Sequence, residues 1–212
     1  MYKRQTLNTN LEYLNGLLKQ GGLEDGMKEA LGKLSAGLNN ALNEIGALEK
    51  SDQVYSVSYN DGKEGGVSYD LKTNKVNIGI SKEGGIGLAG HELTHAYQFE
   101  TGKVSLKSDN SGYGALYDIG DETEAFNKER FLATGIMYFT DPKMKWNDQN
   151  TRDQGKKMTP PAYQSLPPGP IDINSMQGLN LIIRTRIDGM FGRAPREVYK
   201  GWQKDYNAGA AK

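Results

Sequence analysis

The chain has 212 residues, enough for one sizeable hydrophobic core, and it reads as a single domain. Its 26 lysines and arginines balance 26 aspartates and glutamates, so no bulk charge advertises a nucleic-acid or anionic-membrane partner, and any substrate must be recognised locally. Cysteine is absent, which excludes disulfides and thiolate metal ligands and leaves the cellular compartment unread.

The first residues lead into a polar stretch with no apolar run resembling the core of a signal peptide, and no segment approaches the length of a membrane span. A soluble chain without its own export address is expected; a domain of a longer, exported polypeptide would read the same way. Over residues 7–48 apolar side chains recur at helical spacing, in Leu11, Leu14, Leu17 and Leu18 and again in Leu31, Leu34, Leu38, Leu42, Ile45 and Leu48. Two amphipathic scaffold helices broken near Gly21-Gly22 are predicted. From Gln53 the pattern changes to alternation, first around Val54 to Tyr59, then in Val67 to Leu71 and Val76 to Ile80 about the turn Lys72-Thr73-Asn74-Lys75. The expectation is a small antiparallel sheet containing a hairpin, with the last strand as an edge on which an extended peptide could lie. Gly84-Gly85 then separates that strand from a helix over residues 86–99.

A connection rich in Ser, Asp, Asn and Gly follows, and a loop of that length in a compact domain is usually functional or mobile. Helical periodicity returns over residues 121–139, closing a central block at 53–139. The remainder, 140–212, begins with a polar and then proline-rich stretch to Pro170, expected to be extended on the surface, and ends in helices near 174–191 and 196–206. The fold class implied is α+β: a mainly helical domain with a small sheet ahead of one special helix.

That helix carries His91-Glu92-Leu93-Thr94-His95. Residues four apart project from one helical face, so the two imidazoles can grip one small ion with Glu92 beside them. A hydrolytic zinc site needs neutral nitrogen ligands, an open position for water and a base for its proton, and this spacing supplies those parts. His91 and His95 are the only histidines in the chain, so the third protein ligand has to be a carboxylate, a tyrosine or an outside group. The downstream carboxylates are Glu100, Asp109, Asp118, Asp121, Glu122, Glu124 and Glu129. Glu122 shares a helical stripe with Ala125, Phe126, Glu129 and Ala133, the stripe expected to face inward, and a buried carboxylate needs a partner. Glu122 is therefore the preferred ligand and Glu129 a candidate acceptor for a histidine N–H. Asp121 and Glu124 are expected to face solvent. With both histidines committed, stabilisation of a developing oxyanion falls to an arginine or to Tyr69, Tyr113 or Tyr117, of which Tyr113 and Tyr117 lie in the connection between the two ligand helices.

The segments Gly90 to Gln98 and Glu122 to Glu129 resemble the zinc peptidases that combine HExxH with a downstream glutamate, the gluzincin type. More narrowly, the hairpin, glycine turn and two ligand helices look like the metallopeptidases of bacterial secreted effectors and of polymorphic toxins with RHS-type repeats, over about residues 67–133. The resemblance implies Zn2+ held by His91, His95 and Glu122, general-base catalysis by Glu92, cleavage of a protein or peptide substrate, delivery by a larger secreted polypeptide and an immunity protein as partner. The alternatives from the sequence are a zinc amidase acting on cell-wall peptide or small amides, and a non-catalytic binding module stabilised by the metal.

Overall fold

A computed structural model describes residues 2–61 and 65–171, together with Ser175, Gln177 and the pair Met190–Phe191. The two expected N-terminal helices are α1 (Tyr2–Gln20) and α2 (Asp25–Lys50). They separate at Gly21 and Gly22, whose φ values of +74° and +76° lie in the left-handed region that favours glycine. Leu7, Leu14, Leu31, Leu38 and Ala41 bury one stripe of this hairpin. The stripe rests on Phe131, whose ring fits against Gly37 so closely that a Cβ there would lie 2.7 Å from it.

The sheet contains β1 (Val54–Asn60), β2 (Gly66–Asp70) and β3 (Lys75–Ser81), in the order β1-β3-β2. The β2–β3 pair is the expected antiparallel hairpin, closed at Asn74 with φ +54° and by Asp70, whose carboxylate accepts from the Lys72 and Thr73 backbone N–H groups. The sheet as a whole corrects the antiparallel expectation, because β1 pairs with β3 in parallel. It also removes β3 as a peptide-binding edge. Val76, Ile78 and Ile80 are each at most 2 % exposed, and a strand so apolar on one face is stabilised best in the middle of the sheet, with β1 and β2 outside it. Short alternating runs encode which face is buried but not which strand is the neighbour.

The buried face of the sheet packs on α3 (Gly85–Thr101) through Ala89, Ala96 and Phe99. Gly102, at φ +79°, ends that helix and donates its N–H to the carbonyls of Gln98 and Phe99. The connection that follows is built structure: β4 (Leu106–Lys107) is buried at Leu106, and isolated bridges join Asp70 to Asp109 and Leu106 to Tyr113. Next comes α4 (Ile119–Thr134), which starts two residues earlier than expected because Asp118 is its N-cap, accepting from Gly120 and Asp121 N–H while the Asp121 carboxylate accepts from Asp118 N–H. Asp121 is therefore 7 % exposed and does not face solvent.

The helix expected to run to 139 breaks at Gly135, φ +59°, and resumes as the single turn α5 (Met137–Thr140). The following stretch is not extended throughout, since α6 (Asp148–Lys157) forms within it. That helix has no apolar stripe to read. It is anchored instead by polar contacts: an Asn147–Asn150 capping box, and Thr151, fully buried, hydrogen-bonded to Thr123 of α4. Residues 158–171 do run as an irregular strap across the surface. Arg152 holds the strap by donating to the carbonyls of Tyr163, Gln164 and Leu166, and Ile119 N–H donates to Pro167.

The helices expected after Pro170 lie outside the described residues, except that Met190–Phe191 form β5, a strand paired with β4 where helix was expected. Among the described residues no helix is long and apolar enough to cross a membrane. The architecture is α+β and mainly helical: a mixed sheet on one side of α3, α4 on another, and the α1–α2 hairpin over the end of α4.

Candidate metal centre

The site lies where α3 and α4 touch, and glycine on α3 permits the close approach. A Cβ at Gly90 would lie 2.3 Å from Leu132, and one at Gly87 would lie 3.0 Å from the Glu129 carbonyl oxygen. With those side chains absent, the inward stripe of α4 meets the face of α3 that carries the histidines. His91, His95 and Glu122 are 5 %, 1 % and 2 % exposed, and their nearest donor atoms converge. The two Nε2 atoms are 3.2 Å apart, and each is 3.4 Å from one oxygen of the Glu122 carboxylate. Tetrahedral zinc with bonds of about 2.0–2.1 Å separates its ligand atoms by roughly 3.3–3.4 Å, so the three residues already stand at the spacing one such ion requires.

The outer nitrogens establish what those inner atoms carry. His91 Nδ1 lies 3.1 Å from Glu129 Oε2, a carboxylate that can only accept, so Nδ1 bears the hydrogen and Nε2 a lone pair. His95 Nδ1 lies 2.8 Å from Gln98 Oε1. The amide of Gln98 is oriented by its other end, where Nε2 donates to the Asp121 carbonyl and to Glu124, so His95 Nδ1 also bears the hydrogen. With both rings neutral, two imidazole lone pairs and a carboxylate thus face one another in a buried space, and Glu122 Oε2 has no hydrogen-bond partner among the described residues. Such a set could hold a cation.

The same conclusion comes from proton affinities. Burial opposes charge on His91, yet Glu122 and Glu129 outweigh it and raise the imidazole from 6.5 to about 10. Burial likewise works against the Glu122 carboxylate, but His95 and His91 bring it down to about 2. A proton shared with His91 satisfies the trio, and a divalent ion could take its place.

Compared with protein-family models, curated proteins and solved structures, the chain matches none of them.

Glu92 is 5 % exposed, and its Oε2 has no hydrogen-bond partner among the described residues. Burial, opposed by His91 and His95 and reinforced by Glu122 and Glu129, raises its carboxyl above the ordinary value. Its side chain lies against Gly65, the residue just before β2, where a Cβ would come within 2.4 Å of Oε1. Tyr113 and Tyr117 stack on each other at 4.1 Å, and their ring centroids lie 5.0 and 5.9 Å from that of His95, so the structure brings both to the site. Burial, Glu92 and Glu122 push the Tyr113 phenol well above its ordinary value, which keeps it a neutral proton donor, and the Tyr117 hydroxyl is buried with no hydrogen-bond partner among the described residues. Tyr69 goes elsewhere, its hydroxyl donating to Asn74.

Among the other carboxylates, Glu100 accepts from Ser51 and Tyr55, Asp118 and Asp121 cap α4, and exposed Glu124 pairs with Lys103. Glu129 takes the position beside His91 that its stripe suggested. Sequence reasoning missed Gln98, although its place three residues after His95 puts it on the same helical side. It also missed the ring of Phe126 4.7 Å from His91, with Trp146 and Tyr163 beyond it at 5.0 and 5.9 Å, because a long loop and the strap bring the last two in.

Proposed function

We propose that the chain is a zinc-dependent endopeptidase in which His91, His95 and Glu122 hold the ion and Glu92 moves the proton. The observation that carries this reading is the buried trio at zinc spacing with an unpartnered carboxylate, Glu92, beside it. A purely structural metal site has no use for a second buried carboxylate of raised proton affinity, whereas hydrolysis does. Zinc supplies Lewis acidity toward a carbonyl oxygen and toward water.

The chain's own residues then divide the work. Glu92 accepts a proton from the water that attacks the carbonyl carbon and returns it to the amine nitrogen as the C–N bond breaks. A carboxyl whose proton affinity burial raises above the ordinary value is suited to both transfers. The stacked phenols of Tyr113 and Tyr117 border the same space and are assigned to the oxyanion, since each has a hydroxyl proton to give in a site shielded from water. Glu129 and Gln98 keep both Nε2 lone pairs turned inward.

The test is elemental analysis of protein purified without metal-affinity resin, paired with turnover on a mixed peptide pool. Near-stoichiometric zinc in the wild type and in Glu92→Gln, loss of zinc in Glu122→Ala, and turnover lowered about 10²–10⁴-fold in Glu92→Gln are expected. Zinc-loaded wild type that cleaves no peptide overturns the peptidase reading, and wild type that takes up no zinc overturns the metal site.

A further inference from the structure

Gln98 is 1 % exposed and lies one turn beyond His95, at the C-terminal end of α3. A side-chain amide has one acceptor oxygen and two N–H donors, and here all three are engaged. Oε1 accepts from His95 Nδ1–H at 2.8 Å, and Nε2 donates to the Asp121 carbonyl at 3.0 Å and to Glu124 Oε2 at 2.9 Å. Asp121 is the residue immediately before Glu122. The same amide that holds one metal-site histidine on α3 is therefore bonded to the backbone of α4 beside the third ligand. Glu124 is held in turn by Lys103, which follows the α3 cap, so the bond spans the two helices at a fixed point.

We propose that Gln98 is the positioning residue of this metal centre: one amide orients His95 with its Nε2 inward and sets the distance between that nitrogen and Glu122. The proposal rests on the metal-centre reading above and adds to it the residue that joins the ligand sets of the two helices. His91 has a different arrangement, since its Nδ1 partner Glu129 lies on α4 itself and bonds the ring directly. Among the described residues, only Gln98 uses one side chain to grip a ligand and, separately, the main chain next to another. A glutamate at this position would retain the acceptor for His95 but place an oxygen against the Asp121 carbonyl and the Glu124 carboxylate. A methionine would fill the space and make none of the three bonds.

These differences supply the test. Zinc affinity is measured by chelator competition, well below the unfolding temperature, for wild type, Gln98→Met, Gln98→Glu and the double variant Gln98→Glu/Glu124→Gln, with the visible bands of the cobalt-loaded proteins recorded alongside. Gln98→Met is expected to bind zinc about 10–100-fold more weakly and to shift the cobalt bands, the usual effect of losing a histidine's outer partner. The double variant reverses the polarity of the 98–124 hydrogen bond and keeps the acceptor for His95, while the Asp121 carbonyl still faces an oxygen, so it is expected to recover part of the affinity that Gln98→Glu loses. A residue that only filled the core would lower the unfolding temperature and leave the affinity and the cobalt bands of the folded protein unchanged. That result, or a double variant no better than Gln98→Glu, overturns the proposal. The swap comparison decides the matter if Gln98→Met does not fold. Failure of wild type to bind zinc is a separate outcome that removes the metal centre itself.

Discussion

Gly65→Ala tests the placement of Glu92 without altering a ligand or the carboxylate itself. The added Cβ would stand 2.4 Å from Oε1 and 2.7 Å from both Cδ and Cγ of Glu92, and ordinary contact begins at 3.4 Å, so the carboxylate has to retreat by about 1 Å. Gly65 is not in the left-handed region, so the backbone accepts alanine and the strain falls on the side chain it meets. A displacement of that size at a reacting group costs on the order of 100-fold in rate, or about 2.7 kcal/mol of barrier. Overpacking adds about 1–3 kcal/mol of destabilisation. The assay is kcat/KM on the peptide pool, with zinc content and unfolding temperature measured on the same samples. Zinc should remain stoichiometric while turnover falls. Unchanged turnover in a folded, zinc-loaded Gly65→Ala would refute the assignment of Glu92 as the proton carrier held against β2.

Three further outcomes are expected. In metal-free protein His91 is raised from 6.5 to about 10 and Glu122 is lowered from 4.5 to about 2. The His91 contribution to stability is complete below 6.5 and disappears as pH rises through about 10, and the Glu122 contribution is present above 4.5 and disappears as pH falls toward about 2. The contributions of this pair to the unfolding temperature in chelator should therefore both be present between about pH 4.5 and 6.5, and zinc should raise that temperature more on the alkaline side, where no proton competes; a His91→Ala profile in chelator parallel to wild type above pH 6.5 counts against the buried pair. Glu129→Ala removes the acceptor 3.1 Å from His91 Nδ1 and is expected to weaken zinc binding by about 10-fold, read by chelator competition, with no loss of site stoichiometry at saturating metal. Asp118→Ala removes three accepted hydrogen bonds, from Gly120, Asp121 and Ile171, and should cost about 2 kcal/mol in urea unfolding and loosen the strap to proteolysis.

The parts of the fold that depend on side chains at short sequence separation are legible in the sequence. The leucine stripes of α1 and α2, the hairpin at Asn74 and the pairing of His91 with His95 across one helical turn follow from periods of 3.6 and 2 that any folded context preserves. The stripe containing Glu122 and Glu129 was visible for the same reason, and the scarcity of other ligand types made a carboxylate the natural complement to the histidines. The short helix α6 was not legible, because polar anchors such as Thr151 and Arg152 carry no periodic signal.

What the chain alone determined is local chemistry: which residues can ligate, which face of each helix is apolar, where glycine must bend the backbone. Tertiary structure decided the rest. It placed β3 rather than β2 at the centre of the sheet, buried Asp121 in a cap, brought Tyr113 and Tyr117 against His95, and set Gln98 between two helices. The places of β3, of the two tyrosines and of Gln98 depend on approaches between segments far apart in sequence, permitted between α3 and α4 by the missing side chains of Gly87 and Gly90 and enforced by the burial of apolar surface, and such approaches leave no period to read in the sequence.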